Sequence, residues 1–365
     1  MRGVARLALW LMILATIAGC GNGRAPGSQT GSSSTSATGT QVAAPGEQAG
    51  EQGTASQRPA RKVTLMLNWI PYGEHAPFYY GLEKGFYRAE GIELTIQPGG
   101  GSVKTIQAVA SKQVDFGWAD TPALIKAVEA GFPVKSVGVF LQKGPTAIQF
   151  FADRSIESPA DLKGKSIAVT PGDAPSQTLP AFLAANGLTS TDVRLVNVDP
   201  AGKIAALIEG KADAIIGFFH DQAPTIEYQA NRPVSVLLYA DYGVNLLSNG
   251  VVVHTDLLKQ DPGLVRGFLR ATIKSWQEAV RDVEGAVAAM TKRAEKAPPA
   301  AVLRKQFEKT ITLLNTQATA GKPPGINAES DWEATIELLH KYADLRNPGK
   351  PSDYWDGTLA AQVAQ

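Results

Sequence analysis

The sequence predicts an α/β protein with two lobes that face each other across a cleft. From Val63 onward, short apolar segments typical of strands alternate with segments typical of helices, which is the pattern of parallel sheets covered by helices. Residues 106–117 and 204–215 share one plan: an apolar helix, a polar turn, an Asp and a buried strand. Two lobes built on one unit explain this similarity, although a generic helix-to-strand corner explains it as well. The 365 residues suffice for two domains of about 100–150 residues each.

The elements form two alternating series and a helical tail. Apolar, often β-branched runs between turn residues predict strands at 63–68, 93–97, 114–119, 134–140, 166–169, 193–198 and 212–217. Apolar residues at helical spacing predict helices at 78–89 (broken at Gly85), 103–111, 122–130, 177–186 and 202–209, and in the tail at 261–296, 300–314 and 328–342. This order predicts parallel strands joined by helical crossovers.

The first nineteen residues resemble a bacterial signal peptide. Arg2 and Arg6 precede an apolar run over residues 7–17, which is too short to span a bilayer. Residues 17–20 read Ile-Ala-Gly-Cys, similar to the site at which bacterial lipoproteins are cleaved and lipidated on cysteine. We therefore expect a signal peptide at 1–19 and lipid on Cys20; an incidental cysteine after an ordinary signal peptide is the alternative.

A polar linker is predicted to follow the anchor. Residues 21–60 are rich in Gly, Ser, Thr, Ala, Gln and Pro and contain no aromatic residue, Leu or Ile. Such a segment cannot bury enough apolar surface to offset its ordering entropy. We expect 20–60 to tether the folded part to the outer, extracytoplasmic face of the cell membrane.

Composition excludes several classes of function. The net charge is +1, which makes nucleic acid a poor partner. Cys20 is the single cysteine, so neither an intrachain disulfide nor a cysteine-based zinc site is available. The four histidines show no metal-binding spacing, and no nucleophile–base or paired-carboxylate pattern stands out. We expect no metal, no cofactor, no catalytic residue and no enzymatic activity.

The turns after the strands supply the candidate ligand contacts, because ligands of open α/β sheets bind at the carboxyl ends of the strands. Several of these turns carry aromatic side chains, which offer stacking surfaces for a planar heterocycle. The alternative is that these rings belong to the core. The aromatic candidates are Trp69, Tyr72, Tyr79 and Trp118.

Polar residues in the same turns could orient such a ligand through hydrogen bonds. Ser102 follows a run of glycines at a helix start, which resembles an anion-binding turn but also suits a plain tight turn. Helix capping and surface solvation are the alternatives for the others. The polar candidates are Asn68, His75, Ser102, Asp120 and, as an acceptor for an amino group, Glu227. Gly172 is a further candidate, because it lies in a strand-to-helix loop of the second lobe that could close on the ligand.

One long stretch carries a family resemblance. Residues 67–81 read LNWIPYGEHAPFYYG and continue to EKGFY at 83–87; DFGWAD at 115–120 and LKGKSIAV at 162–169 fit as well. These residues resemble the solute-binding proteins related to thiamine-pyrimidine biosynthesis proteins, over about 62–345. The resemblance implies a hinged, two-lobe type II periplasmic-binding fold with an interlobe cleft. It places lobe 1 at 62–150 plus 245–345 and lobe 2 at 151–244.

The resemblance also implies a function. Relatives are receptors of ABC importers for aminopyrimidine thiamine precursors, riboflavin, alkanesulfonates, taurine or nitrate, and work with a permease and its ATPase. An enzymatic branch carries a cysteine-rich motif that this chain lacks. Because aromatic residues outnumber what one ring needs, riboflavin is the expected ligand, followed by an aminopyrimidine and then a sulfonate-like anion. We expect a monomer; a ligand-sensing partner of a membrane receptor kinase is the alternative role.

Overall fold

The computed structural model describes residues 60–363. The predicted signal peptide, the predicted lipidation site at Cys20 and nearly all of the predicted linker lie outside the described residues. Within 60–363, no helix combines the length and the apolar character needed to cross a bilayer.

The described residues form strands and helices close to the predicted ones. The strands are β1 (Arg61–Met66), β2 (Ile92–Gln97), β3 (Phe116–Asp120), β4 (Val134–Val139), β5 (Thr146–Phe151), β6 (Ser166–Val169), β7 (Arg194–Asn197), β8 (Ala214–Phe218), β9 (Val234–Leu238) and β10 (Asn249–His254). The helices are α1 (Ala76–Glu83), α2 (Phe86–Ala89), α3 (Ser102–Ala110), α4 (Thr121–Glu129), α5 (Ala174–Ala185), α6 (Gly202–Ile208), α7 (Phe219–Ala230), α8 (Thr255–Gln260), α9 (Pro262–Arg281), α10 (Val283–Arg293), α11 (Ala300–Ile311), α12 (Glu329–Tyr342), α13 (Pro351–Tyr354) and α14 (Thr358–Val363).

Two five-stranded sheets organise the two lobes. The first sheet has the order β2-β1-β3-β10-β4 and the second the order β7-β6-β8-β5-β9. In each sheet the three strands of the βα series are parallel, and the fourth position is an antiparallel strand. We call the parts built on these sheets the first and the second lobe. The two-lobe α/β prediction is confirmed.

The antiparallel strands mark where the chain crosses between the lobes. The chain leaves the first sheet after β4 and enters the second at β5, so the crossing lies between Val139 and Thr146. The boundary predicted at 150/151 would cut through β5. The return predicted at 244/245 falls between β9 and β10. Sequence alternation missed β5, β9 and β10 because none is followed by a covering helix in a parallel βα unit.

The repeated sequence unit forms the same corner in both lobes. The backbone N–H of Thr64 on β1 donates to Asp115 Oδ2, and that of Ser166 on β6 donates to Asp213 Oδ2, each over 2.8 Å. In return, the backbone N–H of Asp115 donates to the Thr64 carbonyl and that of Asp213 to the Ser166 carbonyl, over 3.1 and 2.9 Å. Both aspartates thus join the strand that follows them to its parallel neighbour.

The tail covers the first sheet. The helix predicted at 261–296 is two helices, α9 and α10, because the Asp282 side chain accepts from Gly285 N and starts a new helix. Helices α1, α9 and α10 share the apolar core of this lobe with Phe268 and Trp276 at its centre. The chain after 345 also belongs here, since Trp355 forms a bridge to Ser136 on β4.

Candidate functional site

A cavity lies between the lobes at the carboxyl ends of β1 and β8, where α3 and α5 begin. Its volume, including the mouth, is about 310 Å³. Each lobe supplies part of the wall. The first contributes Asn68, Trp69, Tyr72, Gly101 and Ser102, and the second contributes Asp173, Ala174, Pro175, Lys203, Gly217, Phe218, Asp221 and Gln222.

The lobes contact each other at two glycine-containing loops. Gly101 has a φ of +119°, and a Cβ there would lie 2.8 Å from the carbonyl oxygen of Gly172 in the other lobe. The backbone N–H of Val103 donates to the same carbonyl over 3.3 Å. Glycine at 101 therefore permits both this backbone conformation and the contact of the lobes beside the cavity.

Three aromatic residues give the cavity flat walls. Trp69 follows β1, Tyr72 lies in the turn before α1, and Phe218 ends β8. Trp69 is 8% exposed, and the Nζ atom of Lys203 lies 5.3 Å from the centroid of its ring. Such rings can stack on a planar ligand and exclude water from its polar edges.

A buried ion pair forms one side of the cavity. Lys203 Nζ pairs with Asp173 Oδ2, and both side chains are almost completely buried. Lys203 also donates to the Ile216 carbonyl over 3.0 Å, while Asp173 Oδ1 accepts from Ser176 N and caps α5. The charge of the lysine is thus already neutralised, which leaves little positive potential for an anionic ligand.

Asp221 brings a second carboxyl group to the cavity. Burial, and then the negative charge of Glu74, raises the pKa of Asp221 well above its ordinary value, against the opposing charge of Lys203. Gln306 Nε2 donates to Asp221 Oδ1 over 3.1 Å. The shift favours the protonated form, in which a carboxyl group presents one donor and one acceptor side by side.

Glu74 lies behind the cavity wall, fully buried, and accepts hydrogen bonds from four side chains. Its partners are Tyr72 Oη, Trp118 Nε1, His220 Nε2 and Asn249 Nδ2. Burial alone would raise the pKa of Glu74, but the hydrogen bond and charge of His220, helped by His75 and Tyr72, lower it overall. We call these five residues, Glu74 and its four partners, the Glu74 network.

The predicted contacts Asn68, Trp69, Tyr72 and Ser102 line the cavity. His75 lies one layer behind: its Nε2 contacts Asn68 Oδ1 at 2.8 Å and its Nδ1 accepts from the backbone N–H of Tyr72. Burial lowers the pKa of His75 to about 4, so it is neutral near pH 7. Gly172 contributes the interlobe backbone contact rather than a cavity wall.

Tyr79, Trp118, Asp120 and Glu227 do not line this cavity. Tyr79 and Trp118 pack into the first lobe, because α1 and β3 are covered on the sides that carry them; Trp118 stacks on Trp276 at 5.6 Å between ring centroids. Glu227 lies farther along α7 and accepts from Val234 N over 3.4 Å.

Asp120 faces a smaller cavity beside the lobe crossings, together with Tyr239 and Ser248. Ser248 Oγ donates to Asp120 Oδ2 over 2.9 Å. Burial raises the pKa of Asp120 to about 7. Some of the predicted residues thus lie in the cavity wall or directly behind it, while the others lie in the core of the first lobe, at the interlobe contact, at the second cavity or along α7.

Sequence reasoning missed most of the wall that the second lobe contributes. Ligands of open α/β sheets bind at the carboxyl ends of strands, and the strand predicted at 212–217 ends at Gly217. A signal for Phe218, Asp221 and Gln222 therefore existed, because they lie directly after this strand. Lys203 gave none, because a lysine in a segment predicted to be helical is expected to be solvated.

The two sheets, the crossing strands and the cavity between the lobes define the two-lobe periplasmic-binding-protein architecture. The family model described as NMT1/THI5 like matches residues 73–286. This is more than half of the chain, and the protein belongs to that family. The resemblance read from residues 67–81 is therefore confirmed.

Relatives of known name span most of the chain. The formylaminopyrimidine-binding protein of Halalkalibacterium halodurans is 24% identical over 289 residues, covering 78% of this chain and 87% of its own. The riboflavin-binding protein RibY of Chloroflexus aurantiacus is 28% identical over 302 residues, covering 80% and 84%. A 4-amino-5-hydroxymethyl-2-methylpyrimidine phosphate synthase of Legionella pneumophila is 25% identical over 292 residues, covering 78% and 89%.

Solved structures share the fold. The periplasmic aliphatic sulphonate binding protein SsuA of Escherichia coli superposes with a TM-score of 0.63 at 16% identity, covering 81% of this chain and 92% of its own. At this identity the similarity establishes the architecture alone.

Proposed function

We propose that this protein is the solute-binding component of an ABC importer and that its ligand is an aminopyrimidine precursor of thiamine. The observation that carries the proposal is the interlobe cavity, whose wall contains the aromatic residues Trp69, Tyr72 and Phe218 together with Asp221. Flat walls suit a planar heterocycle. A carboxyl group suits the edge of an aminopyrimidine, where a ring nitrogen accepts and the amino group donates.

The placement of the aromatic residues favours one ring over three. Riboflavin is expected only if the mouth has a surplus of aromatic residues, but Tyr79 and Trp118 lie in the core instead. The similarity to a formylaminopyrimidine-binding protein supports the same choice.

Charge argues against a sulfonate-like anion. Recognition of such a group needs convergent N–H donors or an uncompensated cation. Lys203 is the cation of the cavity wall, and Asp173 neutralises it, while Asp221 and the nearby Glu74 add acidic groups. An anion would enter a site whose formal charge is already negative or neutral.

Riboflavin is the second candidate. The similarity to RibY supports it, and the aromatic walls suit the three-ring system if the lobes open further to admit it. Binding of riboflavin rather than an aminopyrimidine would move the assignment within the same class of importer.

The remaining parts of the proposal rest on the sequence. We propose a lipid anchor on Cys20 that holds the protein at the outer face of the membrane, where a permease and its ATPase receive the ligand. The absence of a second cysteine in the chain, against a cysteine-rich motif in the synthase branch, supports binding without catalysis.

The function is tested by calorimetric titration of the purified protein with formylaminopyrimidine, riboflavin and taurine in parallel. Tight one-to-one binding of formylaminopyrimidine alone supports the proposal. Binding of taurine would contradict the charge argument, and binding of none of the three would contradict the proposed class of ligand.

Replacing Trp69 with alanine is expected to weaken ligand binding roughly 5- to 150-fold, because stacking on one aromatic ring contributes about 1–3 kcal/mol. Calorimetry of the variant measures the change. Tyr228→Ala is the matched control, since Tyr228 is an exposed aromatic residue on α7, away from the cavity. Equal affinities for Trp69→Ala and the unmodified protein would place the ligand elsewhere.

Replacing Asp221 with alanine is expected to weaken aminopyrimidine binding about 10- to 100-fold, while Asp221→Asn keeps most of the affinity. The asparagine amide retains one donor and one acceptor, as the protonated carboxyl group does, whereas alanine retains neither. If the two variants lose affinity equally, the ligand requires the negative charge of Asp221, and pairing with its neutral edge is wrong.

A further inference from the structure

The Glu74 network joins the two lobes. Glu74, Tyr72, Trp118 and Asn249 belong to the first lobe, and His220 belongs to α7 in the second. The distance from His220 Nε2 to Glu74 Oε2 is 2.7 Å, and both side chains are fully buried. Three donors from the first lobe hold the Glu74 carboxylate in place. His220 therefore donates to an acceptor whose position does not depend on the second lobe.

Glu74 does not line the cavity, but two of the residues that it contacts either line the cavity or lie next to residues that do. Tyr72, one of its donors, is a cavity wall. His220 lies in the first turn of α7, between Phe218 and Asp221, which are walls as well. His220 also stacks against Phe218, with 5.6 Å between the ring centroids. A displacement of His220 would therefore move Phe218, which is part of the cavity wall.

Gln306 reinforces the same connection. Its Oε1 accepts from the backbone N–H of Gly73, next to Glu74, over 2.8 Å. Its Nε2 donates to the carbonyl and side chain of Asp221 and to Thr225 Oγ1 on α7. The turn that carries Glu74 and the start of α7 are thus held together on two sides of the cavity wall.

We propose that Glu74 is a positioning residue for ligand retention: through His220 it fastens the start of α7 to the first lobe and holds the cavity closed over its ligand. The inference rests on the proposed function for its ligand but not for the contact itself. Opening the lobes must break the bond between Glu74 and His220, so the network slows release more than it affects entry.

The test replaces His220, because Glu74→Ala would leave Trp118 Nε1 and Asn249 Nδ2 without their acceptor inside the first lobe and endanger folding. In His220→Ala the first-lobe part of the network stays intact. Stopped-flow measurement with formylaminopyrimidine is expected to show release accelerated roughly 10- to 100-fold, with association changed by less than about threefold.

A conservative variant separates positioning from general destabilisation. Gln has an N–H donor at about the reach of His220 Nε2, so His220→Gln is expected to restore slow release at least in part. His254→Ala is the matched control, because His254 caps α8 in the first lobe and does not touch the second. Equal release rates in His220→Ala and the unmodified protein, or no difference between the Gln and Ala variants, would overturn the inference.

A distance measurement tests the contact without relying on the ligand. Spin labels on cysteines introduced at the exposed positions 62 and 211, with Cys20 replaced by serine, report the separation of the lobes. His220→Ala is expected to broaden this distance distribution toward larger values, and an unchanged distribution would contradict the proposal. If the protein binds none of the tested ligands, the proposed ligand class fails, while this readout still decides the role of Glu74.

Discussion

Replacing Lys203 with alanine is expected to lower the free energy of unfolding by about 3–5 kcal/mol. The reason is that Asp173 would remain buried without its partner, and an uncompensated buried charge costs far more than a surface pair contributes. Both side chains are almost inaccessible to water. Chemical denaturation followed by tryptophan fluorescence measures the change.

Lys211→Ala is the matched control for that experiment. Lys211 pairs with Glu209 on the surface, where ion pairs contribute about 0–1 kcal/mol, so little change is expected. The double variant Lys203→Met with Asp173→Asn removes both charges and should recover part of the loss. If Lys203→Ala is no less stable than Lys211→Ala, the pair is not buried as described.

Replacing Trp276 with alanine is expected to cost about 3–5 kcal/mol of stability, because a large aromatic side chain in a packed core leaves a cavity when it is removed. Trp276 is fully buried and packs against Phe78, Trp118, Phe140 and Phe307. Thermal and chemical denaturation both report the loss.

Trp276→Phe distinguishes packing from hydrogen bonding. The Nε1 atom of Trp276 has no hydrogen-bond partner among the described residues, so replacement by phenylalanine breaks no hydrogen bond to them. A cost much smaller than that of alanine, about 1–2 kcal/mol, is expected from the reduced ring size. Equal costs for the two variants would mean that the ring contacts contribute little.

The sequence predicted the parallel part of the fold well because each βα unit carries its own local signals. The break at Gly85 and the strand at 166–169 are reproduced by the structure. Strands β5, β9 and β10 differ from these units, because each pairs antiparallel with strands that are distant in the sequence. Local periodicity contains no information about which distant strand an apolar run will meet.

The sequence predicted where the site lies but not which chemical groups form it. The strand-end rule located Asn68, Trp69 and Ser102 on the cavity wall. It could not separate rings facing the cavity from rings facing the core, because Trp69 and Trp118 both lie near a strand end. It also could not foresee Lys203 and Asp173, whose partnership depends on a helix and a loop brought together by folding.

The path of the chain between the sheets has a consequence for the order in which the protein can assemble. All strands of the second sheet lie within the continuous stretch from Thr146 to Leu238. The first sheet, in contrast, has β10 between β3 and β4, and β10 is synthesised last of its five strands. During synthesis, β4 lacks its pairing partner β10 until the chain has been made as far as residue 254. By then the chain already contains every strand of the second sheet. The first lobe therefore completes its sheet after the second lobe. Until then, the unpaired edge of β4 is exposed to pairing with wrong strands.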